Sequence, residues 1–505
     1  MNTQQQDDHI IMFPFMAQGH IIPFLALAKL ISQRKPNIKI TLVSTPLNIK
    51  YLHSTLISET STAYKNISLA ELPFSCTDHG LPPNSDNTDS LPSHLIVSLF
   101  HASETLKPSF DNLITEIIGT GKRVPGCIIS DVFLGWVNET AKRVGTLHFS
   151  FTTCGGYGTA AYFSIYLYLP HRKKDDSNDL IEEFHLPIFP DTCRLHISQL
   201  TLNLRETYKE TPFAIFLQQQ ISLSLKSDGM LCNSVEEIEV LGLETLRSYM
   251  DPKPVWTIGP LLPPFLLGNG SAVSNLRTAG KNFGISPENC IEWLNHKKPF
   301  SVVYISFGSQ NTIRASKMRE LALGLEKSGK CFIWVLRPPS EFDIESEFKW
   351  EWLPEGFVES MKKSQKGLLV KKWAPQLEIL CHKSTGAFLS HCGWNSVLES
   401  LSQGVPIIGW PLEGEQCYNS KMMEEEMDVC AELARVDGEV FSEGVKKIIE
   451  DVMDGNKREE MRNKGMVIAE KIRAAMREDM GDDHSKGSSV RSVDDFLATV
   501  TSRGI

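Results

Sequence analysis

Two series of short apolar runs, each followed by a stretch of helical spacing, constrain this chain more than any other feature. In the first half His9–Phe15, Ile38–Val43, Pro125–Ser130 and His148–Phe151 read as strands. In the second half Val302–Phe307, Cys331–Leu336, Gly367–Lys372, Gly386–Leu389 and Val405–Gly409 do the same. Strands this short and this continuously apolar are buried on both faces, and helix-length segments between them supply parallel crossovers. The pattern predicts an α/β chain. Its 505 residues are enough for two cores, and two Rossmann-like, doubly wound domains facing across a cleft satisfy both halves.

Helical spacing is expected from His20 to about Gln33, over Leu95–Ile118, from Asp131 to about Val144 with Gly145 as the cap, and over Ser488–Thr501. The highly charged His171–Glu183 stretch reads as a loop. Pro252–Ser274 is rich in proline, glycine and small residues and reads as a linker. The expected division is a first domain over 1–252, a linker over 253–274, a second domain over 275–485 and a terminal helix within 486–505.

Composition removes several function classes. The net charge is −10 with no basic stripe, which argues against nucleic acid as a partner. Eleven cysteines without a CxxC pair point to reduced thiols and a cytoplasmic setting. Ile10–Ile31 is apolar enough to imitate a signal or membrane segment. Asp7 and Asp8 precede it, however, and Gln18, Gly19 and His20 interrupt it, so no membrane span is expected. No DxD or paired-histidine pattern is present, and no metal is expected. The first turn, Met16-Ala17-Gln18-Gly19-His20, lacks the GxGxxG of a dinucleotide-dependent oxidoreductase.

The densest polar chemistry lies between Trp373 and Gln416. There a strand leads through Ser390-His391-Cys392-Gly393 into a helix that opens at Trp394. A tight turn before a helix aims free N–H groups and the positive end of the dipole at one point, which suits an anion. His391, Asn395 and Ser396 add polar side chains there, and Glu399 lies one turn beyond Asn395. Trp373 offers a flat surface on which a base could stack. Glu415 and Gln416 open a further helix. Together these suit a nucleoside diphosphate that carries a hydroxyl-rich group.

This stretch, with QGHIIP, CIISD, VWTIGPLLP and VVYISFGS elsewhere, resembles the signature box of plant UDP-sugar-dependent glycosyltransferases of family 1. The resemblance implies the two-domain GT-B fold, with acceptor binding in the first domain and UDP-sugar binding in the second. It implies UDP-glucose as co-substrate without a metal cofactor, and a monomer. By resemblance Ser309, His391, Gly393, Asn395 and Ser396 surround the diphosphate. Trp373 lies on the uracil, whose polar edge meets backbone near Ala374, and Gln376 and Glu399 contact the ribose. Thr153, Trp394, Glu415 and Gln416 face the sugar. Gln416 in place of histidine favours glucose over galactose, and the absence of a guanidinium at Trp394 disfavours glucuronate.

A sugar acceptor hydroxyl is a poor nucleophile and needs a base. His20, at the carboxyl edge of the first strand, stands where doubly wound sheets place ligands, and Asp131 ends another strand at the same edge. By resemblance they form the catalytic dyad, His20 as base and Asp131 as its orienting partner. Phe15, Gly19, Phe133 and Tyr157 are expected in the acceptor pocket, with Trp136 and Phe163 near its edge. The expected activity is inverting transfer of glucose to a small lipophilic hydroxyl compound, a flavonoid first and a terpenoid second. UDP-xylose or UDP-galactose as donor, and a non-catalytic nucleotide-sugar-binding protein, remain alternatives.

Overall fold

The structure, a computed structural model, describes residues 9–58, 64–121, 123–173, 180–205, 211–268, 284–344, 346–478 and 486–501. Seven strands form the first sheet: β1 (His9–Phe13), β2 (Lys39–Ser44), β3 (Ile67–Glu71), β4 (Cys127–Asp131), β5 (Leu147–Thr152), β6 (Gly229–Cys232) and β7 (Val255–Thr257). Their order is β3-β2-β1-β4-β5-β6-β7, all parallel. Six strands form the second: β8 (Val302–Ser306), β9 (Cys331–Leu336), β10 (Gly367–Lys371), β11 (Thr385–Ser390), β12 (Ile407–Gly409) and β13 (Cys430–Glu432). Their order, β10-β9-β8-β11-β12-β13, is also all parallel. In each sheet the order reverses after its first strand, between β1 and β4 and between β8 and β11. Such switch points open a crevice at the carboxyl ends of the strands.

Seven helices frame that crevice or close the fold: α1 (Gln18–Arg34), α2 (Ser93–Ala102), α3 (Gly156–Tyr168), α4 (Pro212–Ser224), α5 (Trp394–Ser402), α6 (Gln416–Glu425) and α7 (Ser488–Thr501). The largest apolar cluster crosses between the lobes. It joins Ala160, Ala161 and Phe163 of α3 to Trp394 of α5 and Tyr418 and Met422 of α6, and α3 packs directly on α6. The chain finishes where it began. Val493, Phe496, Leu497 and Val500 of α7 are buried with Ile10, Phe149 and Trp256 of the first sheet. Phe496 packs edge-on against Phe149 and Trp256, and Trp256 Nε1 donates to Asp495 Oδ2 at 2.7 Å. Each such buried side chain stabilises the docking by about 1.5–3 kcal/mol.

Three expectations are corrected. The predicted helix over Leu95–Ile118 divides into α2, a 3₁₀ turn at Ser103–Leu106 and a helix over Lys107–Gly121. Pro108 has no N–H to give Glu104, so the ladder must restart there. The expected linker over 253–274 begins too early, because Val255–Thr257 pairs with β6 as the edge strand of the first sheet. Residues 269–274 of that linker, and 275–283 of the expected second domain, lie outside the described residues, as do 174–179 of the expected charged loop. The helix expected from Asp131 starts only at Val137, after a 3₁₀ turn over Val132–Leu134, although Gly145 caps it in the left-handed conformation.

Candidate active site

The first half of the site sits where β1, β4 and β5 end. β1 stops at Phe13 and α1 begins at Gln18, so His20 rides on the first turn of a helix. Asp131 closes β4, and its Oδ1 accepts the Phe133 N–H at 3.0 Å, capping the turn that follows. Its Oδ2 accepts from His20 Nδ1 at 2.6 Å. Just past the end of β5, Thr153 Oγ1 stands 3.2 Å from the same nitrogen. Both partners occupy Nδ1, so Nε2 at the far edge of the ring is left for the cavity that His20 lines. The Asp131 side chain is wholly buried, whereas that of His20 is 22% exposed. Burial pulls the imidazole down. The Asp131 charge and hydrogen bond, with Glu415 facing it across the cleft, more than offset this and hold His20 above its usual 6.5.

The second half is built on the turn from β11 into α5. Cys392 adopts φ 65°, and its N–H donates to Ser390 Oγ at 3.1 Å. Gly393 is the N-cap residue of α5. Burial takes His391 down to about 4, so the ring is neutral and offers an N–H without charge. Its Nδ1 is buried and has no hydrogen-bond partner among the described residues. The ring lies over Gly308 at φ 79°, where a side chain would meet it at 2.8 Å. Two bonds tie the start of α5 to the other lobe. Asn395 Nδ2 donates to Gly19 O at 2.9 Å, and Trp394 Nε1 donates to Asn233 O at 2.6 Å. The indole of Trp394 therefore has no N–H left to offer a sugar.

Tyr304, Gln376, Ser396 and Glu399 form one polar set behind α5. Tyr304 OH donates to Gln376 Oε1 at 3.0 Å, and Gln376 Nε2 donates to Ser396 Oγ at 3.2 Å and Glu399 Oε2 at 2.5 Å. Ala374 O accepts the Gln376 N–H at 2.9 Å. At the start of α6, Gln416 Oε1 accepts the N–H groups of Leu412 and Glu413, both at 3.0 Å. That fixes the orientation of the amide and leaves Nε2 as its outward donor. Trp373, Ala374, Gln376, His391, Gly393, Trp394, Asn395, Ser396, Glu399, Glu415 and Gln416 all border one cavity of about 800 Å³ with His20, Thr153, Phe15, Gly19 and Phe133.

Three expectations need correction here. Tyr157 does not line the cavity. It is 1% exposed, its hydroxyl lies 3.1 Å from Cys193 Sγ, and its ring packs edge-on against Phe189. On α3 it is Gly158, Tyr162 and Tyr166, four residues apart, with Thr159 and the expected Phe163 beside them, that border the cavity, and Tyr157 points about 100° away from the Gly158 stripe on the opposite side. Trp136 is likewise core, edge-on to Phe13 and Phe110. Ser309 borders the cavity, but its hydroxyl donates to Asp89 Oδ1 at 2.9 Å across the cleft. A hydroxyl has one proton, so in this arrangement it is not offered to a phosphate.

Residues 8–176 match the family model of the glycosyltransferase N-terminal domain. Residues 263–466 match that of UDP-glucoronosyl and UDP-glucosyl transferase. Crocetin glucosyltransferase 3 of Crocus sativus is 45% identical over 454 residues, which cover 89% of this chain and 91% of that protein. The chain belongs to the UDP-glycosyltransferase family. UDP-glycosyltransferase 92A1 of Arabidopsis thaliana is 40% identical, covering 97% of this chain and 96% of its own length. Among solved structures, Medicago truncatula UGT71G1 complexed with UDP-glucose superposes with a TM-score of 0.77 at 25% identity, covering 99% of this chain and 100% of that one. The protein is thus a glycosyltransferase enzyme of GT-B fold that uses a UDP-sugar.

Some of this glycosyltransferase's cavity lies beyond the sequence reading. His94, Val97 and Phe100 of α2, Leu202 and Asn203, and Phe213 of α4 also border it. Phe15 stacks on Phe100 at 4.2 Å, and Phe100 meets Phe133 and Phe213 edge-on at 5.2 Å. The spacing Gly158, Tyr162, Tyr166 was the one available signal for the α3 face. Among the described residues, no group of three His, Cys, Asp or Glu side chains could hold a metal ion, and no helix is long and apolar enough to cross a membrane.

Proposed function

We propose that the enzyme transfers glucose from UDP-glucose, with inversion, to a hydroxyl of a small lipophilic acceptor. The observation that supports this most directly is the His20–Asp131 pair at 2.6 Å bordering the same cavity as the amino end of α5. His20 Nε2 takes the acceptor proton as the acceptor oxygen bonds to the anomeric carbon. The bond from that carbon to the β-phosphate breaks, and its electron pair leaves with UDP. Asp131 keeps the proton on Nδ1 and stabilises the imidazolium formed. The amino end of α5, neutral His391, Asn395 and Ser396 offset the charge gained by UDP. Trp373 covers the uracil, and Gln376 and Glu399 meet the ribose.

Glucose as donor is supported by the relatives named glucosyltransferases and by the fixed amide of Gln416. Its Nε2 gives a hydrogen bond where the Glu415 carboxylate can only accept one, which suits vicinal hydroxyls. The aromatic cluster of Phe15, Phe100, Phe133 and Phe213 supports a flat acceptor, a phenolic or flavonoid before a terpenoid. Eleven cysteines, none in a disulfide and eight of them buried, suit the cytoplasm. The test is turnover of phenolic and terpenoid acceptors with UDP-glucose, UDP-galactose, UDP-xylose and UDP-glucuronate, with NMR of the product. A β-glucoside formed in preference to the other glycosides is expected. An α-linked product, or a preference for UDP-glucuronate, sinks the proposal.

A further inference from the structure

We propose that Asn419, outside the residues assigned above, is the positioning residue that locks sugar recognition to diphosphate recognition. It rests on Glu415 facing the sugar. Asn419 lies one turn into α6 and is wholly buried. Its Nδ2 donates to Cys392 O at 3.0 Å and reaches Glu415 Oε1 at 3.5 Å. Its Oδ1 faces the first lobe, with Cys154 Sγ at 3.9 Å.

The bond to Cys392 has a consequence one residue on. In a planar trans peptide the carbonyl and the next N–H point in opposite directions. Holding Cys392 O against Asn419 therefore turns the Gly393 N–H away from Asn419, at the amino end of α5 where the diphosphate is expected. The same amide nitrogen holds the carboxylate of Glu415. One buried side chain thus orients a donor for the phosphate and an acceptor for the sugar. An alanine there would free both at once, and an aspartate would lose the donor and set a second carboxylate beside Glu415.

α3 is shaped to admit this residue. A Cβ on Gly158 would stand 2.5 Å from Asn419 Oδ1, 2.9 Å from Cys154 Sγ and 3.3 Å from Glu415 Cγ. Gly158 lies inside a helix, where alanine is the better former, so Gly158→Ala should not harm α3 itself. It should push Asn419 off its partners from the opposite lobe.

The experiment measures kcat/KM with UDP-glucose and UDP-galactose, and the Kd of UDP alone, for wild type, Asn419→Ala, Gly158→Ala and Glu415→Gln. Both Asn419→Ala and Gly158→Ala are expected to cut the glucose-to-galactose ratio at least tenfold and to weaken UDP several-fold. Lower rates with every donor and a ratio within twofold of wild type would mean a structural role only and overturn the inference. If Asn419→Ala fails to fold, Gly158→Ala decides by the same criterion. Should Glu415→Gln move the ratio while both other variants leave it alone, the inference fails and the sugar reading stands. Should Glu415→Gln leave it unmoved, the sugar reading fails and the inference with it.

Discussion

The two walls of the cleft are made in different ways. The second-lobe wall comes from one continuous stretch, Trp373–Gln416, in which strand ends and helix starts alternate every few residues and backbone groups do much of the work. The first-lobe wall gathers side chains from distant elements: Phe15 after β1, Phe100 on α2, Phe133 after β4, Tyr162 on α3 and Phe213 on α4. A ligand held by backbone amides and a helix terminus tolerates little variation in the scaffold. A ligand held by a ring of aromatic side chains can change whenever one ring changes. With the donor on the second-lobe wall and the acceptor on the first, as proposed, the contrast explains why one side carries a recognisable sequence signature and the other does not.

The sharpest way to break that contrast is at the His20–Asp131 pair in the first-lobe wall. His20→Ala should lower kcat by about 10³-fold, with the Kd of UDP, measured by calorimetry, close to wild type. A variant that still turns over at a comparable rate removes His20 from the chemistry and leaves the first lobe a mere acceptor cradle.

Asp131→Asn comes next, and its signature is in pH. The base works deprotonated, so kcat/KM should rise with pH through a His20 pKa held above 6.5. Without the carboxylate, burial dominates and the acid limb should move to lower pH, while the rate falls because the tautomer is no longer fixed. A limb that stays in place, or moves up, contradicts the pairing.

The smallest effects separate the walls themselves. Trp373→Ala should raise the KM for the UDP-sugar about tenfold, the worth of a base stacked on an aromatic ring, and leave the acceptor KM alone. Phe133→Ala should do the reverse, by a few-fold. Steady-state kinetics in both substrates checks the pair, and crossed effects would mean the walls are not separable.

How much could be read beforehand follows the same division. Nine strands of the two sheets show as short apolar runs because parallel strands are buried on both faces, and β9 matches its run from Cys331 to Leu336; β3, β6 and β13, three to five residues long, do not stand out. β7 was hidden because Val255–Thr257 is only three residues long and sits among prolines that suggest a linker. The meeting of His20 with Asp131 was legible because Asp131 ends β4 and His20 opens the helix that follows the neighbouring strand β1. Tyr157 was misplaced because being aromatic and near a strand end says nothing of which side of a helix a residue faces. The cross-cleft bonds Ser309–Asp89, Asn395–Gly19 and Trp394–Asn233 left no trace in the sequence. Their partners are between 161 and 376 positions apart, and neither residue of a pair constrains its own neighbours.

The closing helix α7 has a mechanical consequence. Its Phe496 is wedged between Phe149 and Trp256 of the opening sheet, so the carboxyl-terminal fragment carries its own anchor in the amino-terminal lobe. A protease that nicks the chain between β7 and β8 should not set the lobes adrift. The two pieces should travel together as a clipped complex until that last helix is pulled from its slot.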